Sequence, residues 1–300
     1  MSEQLWGGET TKAIDNFPVS GEAIPTPVIH WLGLIKANAA RTNARLGLLD
    51  DALAQAIATA GDAIGAGEHD DQFPVDVFQT GSGTSSNMNA NEVIATLAGD
   101  EVHRNDHVNM GQSSNDVFPS AVHLAALDQV TNDLLPAMDA LASALEAKAS
   151  EFAGVVKAGR THLMDAVPVT LGQEFSGYAS QVRLGIDRVT GTLGRVGQIP
   201  LGGTATGTGL NTHPDFAAGV RELLAEQSGL AISAPDDRFE AQANRDSLVE
   251  LSGALKVYAI SLNKIANDLA LMGSGPRAGI AELRLPELQK GSSIMPGKVN

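Results

Sequence analysis

Residues 241–272 constrain the fold most. Leu248, Leu251, Leu255, Tyr258, Leu262, Ile265 and Leu269 recur at steps of three and four, which places them on one stripe of an α-helix. A helix of about 30 residues is about 45 Å long, and only helices of similar length cover such a stripe. The segment predicts a long-helix bundle.

The rest of the sequence agrees with that expectation. Alanine-rich, helix-period stretches run over 27–49, 51–64, 87–97, 115–152, 169–196 and 214–228, so the fold class is all-α. Pro119 is tolerated in the first turn of its helix, whereas Pro136 should kink or break the helical stretch around it, and a soft boundary is expected there. Short β-like pieces are expected at 75–79 and 279–285. The expected division is an N-terminal mostly helical domain at 1–112 and a central helical bundle at 113–300, incomplete at its C-terminal end.

With 43% apolar residues in 300, the chain buries a real core. There is no cysteine, which excludes disulfides and thiolate metal sites. The start, Met1-Ser-Glu-Gln-Leu-Trp-Gly-Gly-Glu, has neither a basic region nor an apolar one, and no run approaches the ~20 apolar residues that span a bilayer. A soluble, cytoplasmic protein without membrane contact is expected. The formal charge of −15 argues against nucleic acid or anionic lipid as partner. It also means that any anion site relies on local donors, helix N-termini and one or two cations.

Five segments carry the residue types that such a site needs. In Thr80-Gly-Ser-Gly-Thr-Ser-Ser-Asn87, hydroxyls and glycines lead straight into a helix, so Ser82 and Thr84 with the first backbone N–H groups form a neutral cradle for a carboxylate or phosphate. The Gly-Lys-Ser/Thr of a P-loop is absent. Gly111-Gln-Ser-Ser-Asn-Asp116 repeats the pattern with Ser113, Ser114 and Asn115. Both segments also suit ordinary helix caps. Two cradles fit a ligand with two anionic ends.

Ahead of the second cradle, His103-Arg-Asn-Asp-His107 has histidines at i and i+4, but its polar Asn-Asp stretch is not expected to be helical, and no metal is expected. In Gly159-Arg-Thr-His-Leu-Met-Asp-Ala-Val-Pro168, His162 is the best general acid/base candidate, since imidazole titrates near neutrality. Arg160 and Asp165 beside it suit an ion pair holding the loop. Gly202-Gly-Thr-Ala-Thr-Gly-Thr-Gly-Leu-Asn-Thr-His213 either wraps a ligand or lets helices approach closely, and its spacing does not fit a dinucleotide fold. Finally, Gly291-Ser-Ser-Ile-Met-Pro-Gly-Lys-Val-Asn300 places Ser292, Ser293, Lys298 and Asn300 in one glycine-flexed stretch, which is either an anion-binding loop or an exposed tail.

Taken in order, these motifs resemble those of class II fumarases in the fumarase/aspartase superfamily, over a span from Leu5 to Asn300. The terminal loop is shared with aspartases. Arg160-Thr-His-Leu-Met-Asp165 and Asn211-Thr-His-Pro214 are similar to fumarases, so aspartate ammonia-lyase is the alternative. The resemblance implies reversible hydration of fumarate to L-malate by a homotetramer, a lyase of the tricarboxylic acid cycle, without metal or cofactor.

Each active site would draw on three subunits. By matching position, Ser292 is the expected base at C3 of malate and His162 serves the C2 hydroxyl. Ser82, Thr84, Ser113, Ser114, Asn115, Thr161, Ser293, Lys298 and Asn300 are the expected substrate-binding residues. A secondary dicarboxylate site is implied at His103, Arg104, Asn105 and Asp106, with Arg104 where the family has proline. Family members also continue beyond the asparagine matching Asn300, so a fragment or truncated product is expected, and a non-catalytic fumarase-like protein is the further alternative.

Overall fold

The computed structural model describes residues 4–295, 298 and 299. Among them are ten α-helices and one two-stranded antiparallel sheet. They divide into two compact units, Met1–Asp133 with Thr192–Val249 and Leu134–Gly191 with Glu250–Asn300. Each unit is drawn from two separate stretches, unlike the segments 1–112 and 113–300 expected above, because two long helices pass from one unit into the other.

The first unit is built on α1 (Gly8–Asn16), α2 (Thr26–Arg45), α3 (Asp51–Gly65), α4 (Thr84–Ala98), α5 (Ser114–Gln129), α8 (Phe216–Ser228) and α9 (Arg238–Ala243). Helix α2 is its axis, with Ile29, Trp31, Leu32 and Ile35 buried. It crosses α3 at a glycine pair: a Cβ on Gly33 would lie 2.7 Å from the Gly61 carbonyl oxygen, and one on Gly61 equally close to that of Gly33. Any side chain there pushes the helices apart. Asp50 starts α3 by accepting from Ala52 N and Leu53 N at 2.9 and 3.3 Å, satisfying two of the first-turn donors.

The second unit holds α6 (Leu135–Glu151), the hairpin β1 (Val156–Thr161) and β2 (Met164–Thr170), most of α7 (Leu171–Val196) and most of α10 (Asp246–Met272). In α10 the row Leu251, Tyr258, Ile265 and Met272 is buried, while Leu248, Leu255, Leu262 and Leu269 are half-buried. This is the stripe legible in the sequence, resolved into two heptad rows.

Several local expectations are corrected. The helix expected over 115–152 is two helices joined by a wide turn at Val130–Leu134, with Pro136 in the first turn of α6. A missing N–H is harmless there, and the unit boundary at Asp133 falls in the same irregularity. Pro119 lies inside α5 rather than in its first turn. The helix expected over 241–272 is interrupted at Asn244 and Arg245, between α9 and α10. Neither 75–79 nor 279–285 is a strand: Asp76 makes one bridge to Ala23. The hairpin instead occupies the segment around His162.

Candidate active site

In the first unit the two sequence cradles meet. Helices α4 and α5 approach closely because Gly83, at φ 69°, caps α4 where a Cβ would lie 2.2 Å from the Phe118 ring. That approach places the Ser82 hydroxyl 2.9 Å from Thr84 Oγ1, which lies 2.9 Å from the Ser114 hydroxyl. Three hydroxyls from two helix starts thus form one continuous run. Ser113 caps α5, accepting from Asn115 N at 3.3 Å, and its own N–H donates to Asp116 at 2.9 Å. The Asn115 amide donates to Ala205 O at 3.0 Å.

Asp116 ties a third segment to this group. Fully buried, it accepts from Gly202 N and Thr204 N, both at 3.0 Å, and so anchors the glycine-threonine loop beside the cradles. Burial pushes its carboxyl up to about 6, against the pull of those N–H donors and of Lys36,. Ser82 and Asn115 share a cavity of about 590 Å³ with Phe118, Ala205 and Arg245.

Lys36 lies beneath both cradles, fully buried. Its ammonium donates to Asn87 Oδ1 at 2.7 Å, Gln112 Oε1 at 3.2 Å and Asn109 Oδ1 at 3.4 Å. One donor group therefore holds the first turns of α4 and the loop leading to Ser113. Burial drops its pKa to about 7, with Asp116 opposing the shift. Sequence reasoning passed over Lys36, because a lysine within an apolar helix pattern reads as a solvated end; a lysine among Ile35, Ala37, Ala39 and Ala40 on every side was the available signal.

In the second unit His162 stands at the tip of the hairpin. His162 and Leu163 both have positive φ, 53° and 64°, the conformation that a two-residue turn between right-twisted strands requires. His162 lines a cavity of about 560 Å³ with Glu174, Tyr178, Lys264 and Asp268. Tyr178 donates to Asp268 at 3.1 Å, and burial together with Asp268 holds its phenol above the ordinary range. Thr161 pairs with Met164 across the turn.

The expected Arg160 and Asp165 pair is not made as an ion pair. The two residues are cross-strand partners, but Arg160 is bound by Glu282, which also takes Lys157 at 2.6 Å. Lys157 reaches Glu174 at 2.7 Å as well. Glu282 thereby fastens the hairpin to the segment that leads towards the terminal loop.

In that loop the half-buried Ser292 hydroxyl accepts from Ile294 N and Met295 N, both at 3.3 Å, and Gly291 N donates to Lys298 O at 3.0 Å. Ser293 and Lys298 are exposed. Ser292 is not among the residues lining the His162 cavity. Asn300 lies outside the described residues, as do Pro296 and Gly297.

The His103 segment is helical after all, a wide turn over Arg104–Val108. His103 Nδ1 accepts from Asp106 N at 3.2 Å, and His103 N donates to His107 Nδ1 at 3.0 Å, so both imidazoles serve the turn. Asn105 is exposed. Arg104 pairs with the buried Glu92, which also accepts from Gly7, Glu9 and Thr10 and pins α1 to α4. Among the described residues no group of three or more His, Asp or Glu side chains is placed to hold a metal.

Known proteins resemble the chain along its whole length. The chain is 57% identical over 303 aligned residues to a class II fumarate hydratase of Corynebacterium efficiens, and 56% identical over 303 to one of Mycobacterium tuberculosis. Both alignments cover 100% of this chain and 64% of the relative, so the chain spans less than two thirds of their length. The crystal structure of class II fumarase from Schistosoma mansoni superposes with a TM-score of 0.97 at 38% identity, covering 100% of this chain and 68% of that one. The fold is therefore that of the fumarases. The family described as "Lyase" matches residues 1–300, and the chain belongs to that lyase family.

Proposed function

We propose that the chain serves the reversible hydration of fumarate to L-malate. The observation that carries the reading is the run of hydroxyls from Ser82 through Thr84 to Ser114, with the Asn115 amide beside it, in a chain whose relatives are named fumarate hydratases. Neutral donors converging from two helix starts suit a small dicarboxylate in a protein of formal charge −15,.

The chemistry assigns the remaining roles. Removing a proton beside a carboxylate creates a doubly charged, enediolate-like group, which preorganised donors must stabilise. In this reading Ser292 removes the C3 proton. Its oxygen accepts two backbone N–H groups, and such donors favour an alkoxide over a hydroxyl. Lys298, Asn300 and Ser293 stabilise the developing charge, His162 serves the C2 hydroxyl, and Ser82, Thr84, Ser113, Ser114, Asn115 and Thr161 hold the carboxylates for anti elimination.

The reading also includes a homotetramer with active sites shared between subunits, a place in the tricarboxylic acid cycle and the cytoplasm, and a functional division at 112 and 113. No helix of the described residues is long and apolar enough to cross a membrane. A secondary dicarboxylate site at His103, Arg104, Asn105 and Asp106 would have to recruit an arginine that Glu92 already engages.

Fumarate absorbance in the purified protein tests the assignment, with Ser292→Ala and His162→Asn alongside. Loss of at least about 100-fold in kcat is expected for each, in the range of removed acid/base groups. Turnover equal to the parent in both variants would reject the residue roles. Release of fumarate from aspartate, but not from malate, would establish the ammonia-lyase alternative, and fumarate binding without turnover would establish the non-catalytic one.

A further inference from the structure

The sequence demands a local cation wherever this chain binds an anion, and the first unit holds one that the motifs do not mark. Arg245 sits in the two-residue break between α9 and α10. It lines the cavity that Ser82 and Asn115 share. Its guanidinium donates to Ala241 O, to Gln242 O at 2.9 Å and to His123 Nε2 at 3.2 Å. All three acceptors are neutral, and two of the five guanidinium N–H donors remain without a partner among the described residues.

His123 is what keeps this arrangement cationic. It is buried, and its Nδ1 lies 2.9 Å from Val196 O. A guanidinium always donates, so Nε2 must accept from Arg245 and Nδ1 must carry the proton that goes to the carbonyl. Burial and the adjacent Arg245 hold the imidazole below its usual range, so it stays neutral and cancels none of the arginine charge. Arg245 has no ion-pair partner among the described residues; Glu240 attracts its charge from a distance. A half-buried guanidinium held in place by neutral acceptors, at the wall of a cavity with hydroxyl and amide donors, is electrostatically incomplete.

We infer that Arg245 is a carboxylate-binding residue of this cavity, supplying the positive charge for one end of a small dicarboxylate whose other contacts are the Ser82 hydroxyl and the Asn115 amide. Phe118 and Val122 on the same wall suit the short hydrocarbon between two carboxylates better than a fully hydrated phosphate. His123 is the positioning residue that aims the guanidinium. This inference rests on the dicarboxylate reading of the site and adds to it a cation and a specificity.

Succinate, an unreactive dicarboxylate, and crotonate, which has a methyl in place of one carboxylate, are the probes, titrated calorimetrically into the full chain and its variants. Arg245→Met should weaken succinate binding by about tenfold or more, the scale of one charge-assisted contact, while changing crotonate binding by less than about twofold. Arg245→Lys keeps the charge without the planar fork, so an affinity between the two is expected. It also serves where the methionine variant fails to fold. Succinate affinity equal to the parent in either folded variant overturns the inference, as does an equal loss for both probes. If the parent itself neither binds succinate nor turns over fumarate, the dicarboxylate reading falls and takes this inference with it. Fumarate turnover in the parent with unchanged succinate affinity in Arg245→Met overturns the arginine role alone.

Discussion

Lys36 shows at single-residue scale how the cradles are held. Its ammonium satisfies three amide oxygens from α4 and the 109–112 loop, and nothing of it is exposed. Lys36→Met keeps the volume but leaves those oxygens buried and unpaired, at about 1–3 kcal/mol for each that finds no other donor. A loss of about 2–5 kcal/mol in urea unfolding is expected, with weaker succinate binding as the cradles loosen. The pH dependence gives a second signature. The folded-state pKa of Lys36 is depressed to about 7 from 10.5, so the unfolded chain binds more protons between those values. Stability is then fully present above about 10.5 and falls as pH drops towards 7, by up to about 1.4 kcal/mol per pH unit. Asp116 has the opposite sign: raised from 3.8 to about 6, it contributes stability that is present below 3.8 and lost as pH rises through 6. Between pH 7 and 10 the slope of this pair is the lysine's, and Lys36→Met should flatten it. A slope unchanged in the variant would show that Lys36 is not the group responsible.

At the scale of elements, what the sequence declared and what it hid have separate physical causes. Helix caps are local chemistry, so Ser113 and Asp116 at the start of α5 were readable from their order alone. The convergence of Ser82, Thr84 and Ser114 was not, because it depends on Gly83 admitting the Phe118 ring, a contact across 35 residues. The hairpin β1-β2 stayed hidden because its turn lacks the Asn-Gly or Asp-Gly that announces such turns. Instead His162 and Leu163 occupy positions at positive φ that favour glycine or asparagine. A side chain that is not Gly costs roughly 1 kcal/mol there, and a candidate acid/base residue at one of the two positions is a reason for bearing it. Leu163→Gly should therefore stabilise the protein by about 0.5–1 kcal/mol, measured by thermal or urea unfolding, since the 71% exposed leucine gives up little packing. Destabilisation by a similar amount would mean that the leucine contributes contacts outweighing its backbone strain.

At the scale of the whole molecule the apolar surface of the long helices becomes the question. One stripe of α10 was legible as a core stripe, and its Leu251, Tyr258, Ile265 and Met272 row is buried. The opposite rows are not polar, however: Val257 is 43% and Ile260 60% exposed, one turn apart on α10, while Leu184 on α7 is 51% exposed. A monomeric helix normally presents charged and polar residues on that side, and clustered exposed aliphatics mark a surface that another chain covers. Periodicity alone could not separate these two kinds of burial, because a helix apolar on several faces reads the same whether its neighbours come from its own chain or from a second copy. The tetramer proposed above supplies that second copy through helices of matching length. Ile260→Glu places a charge at the centre of the apolar row without touching the buried one. As an exposed substitution in a single chain it should change unfolding free energy by no more than about 0.5 kcal/mol, but a buried, unpaired carboxylate at an interface costs several kcal/mol for each copy. Sedimentation at micromolar concentration should show the parent as a tetramer and Ile260→Glu as a smaller species, with helical circular dichroism retained. A tetramer of undiminished stability in the variant would place the subunit interface elsewhere and leave the Val257 and Ile260 row as ordinary solvent-facing surface.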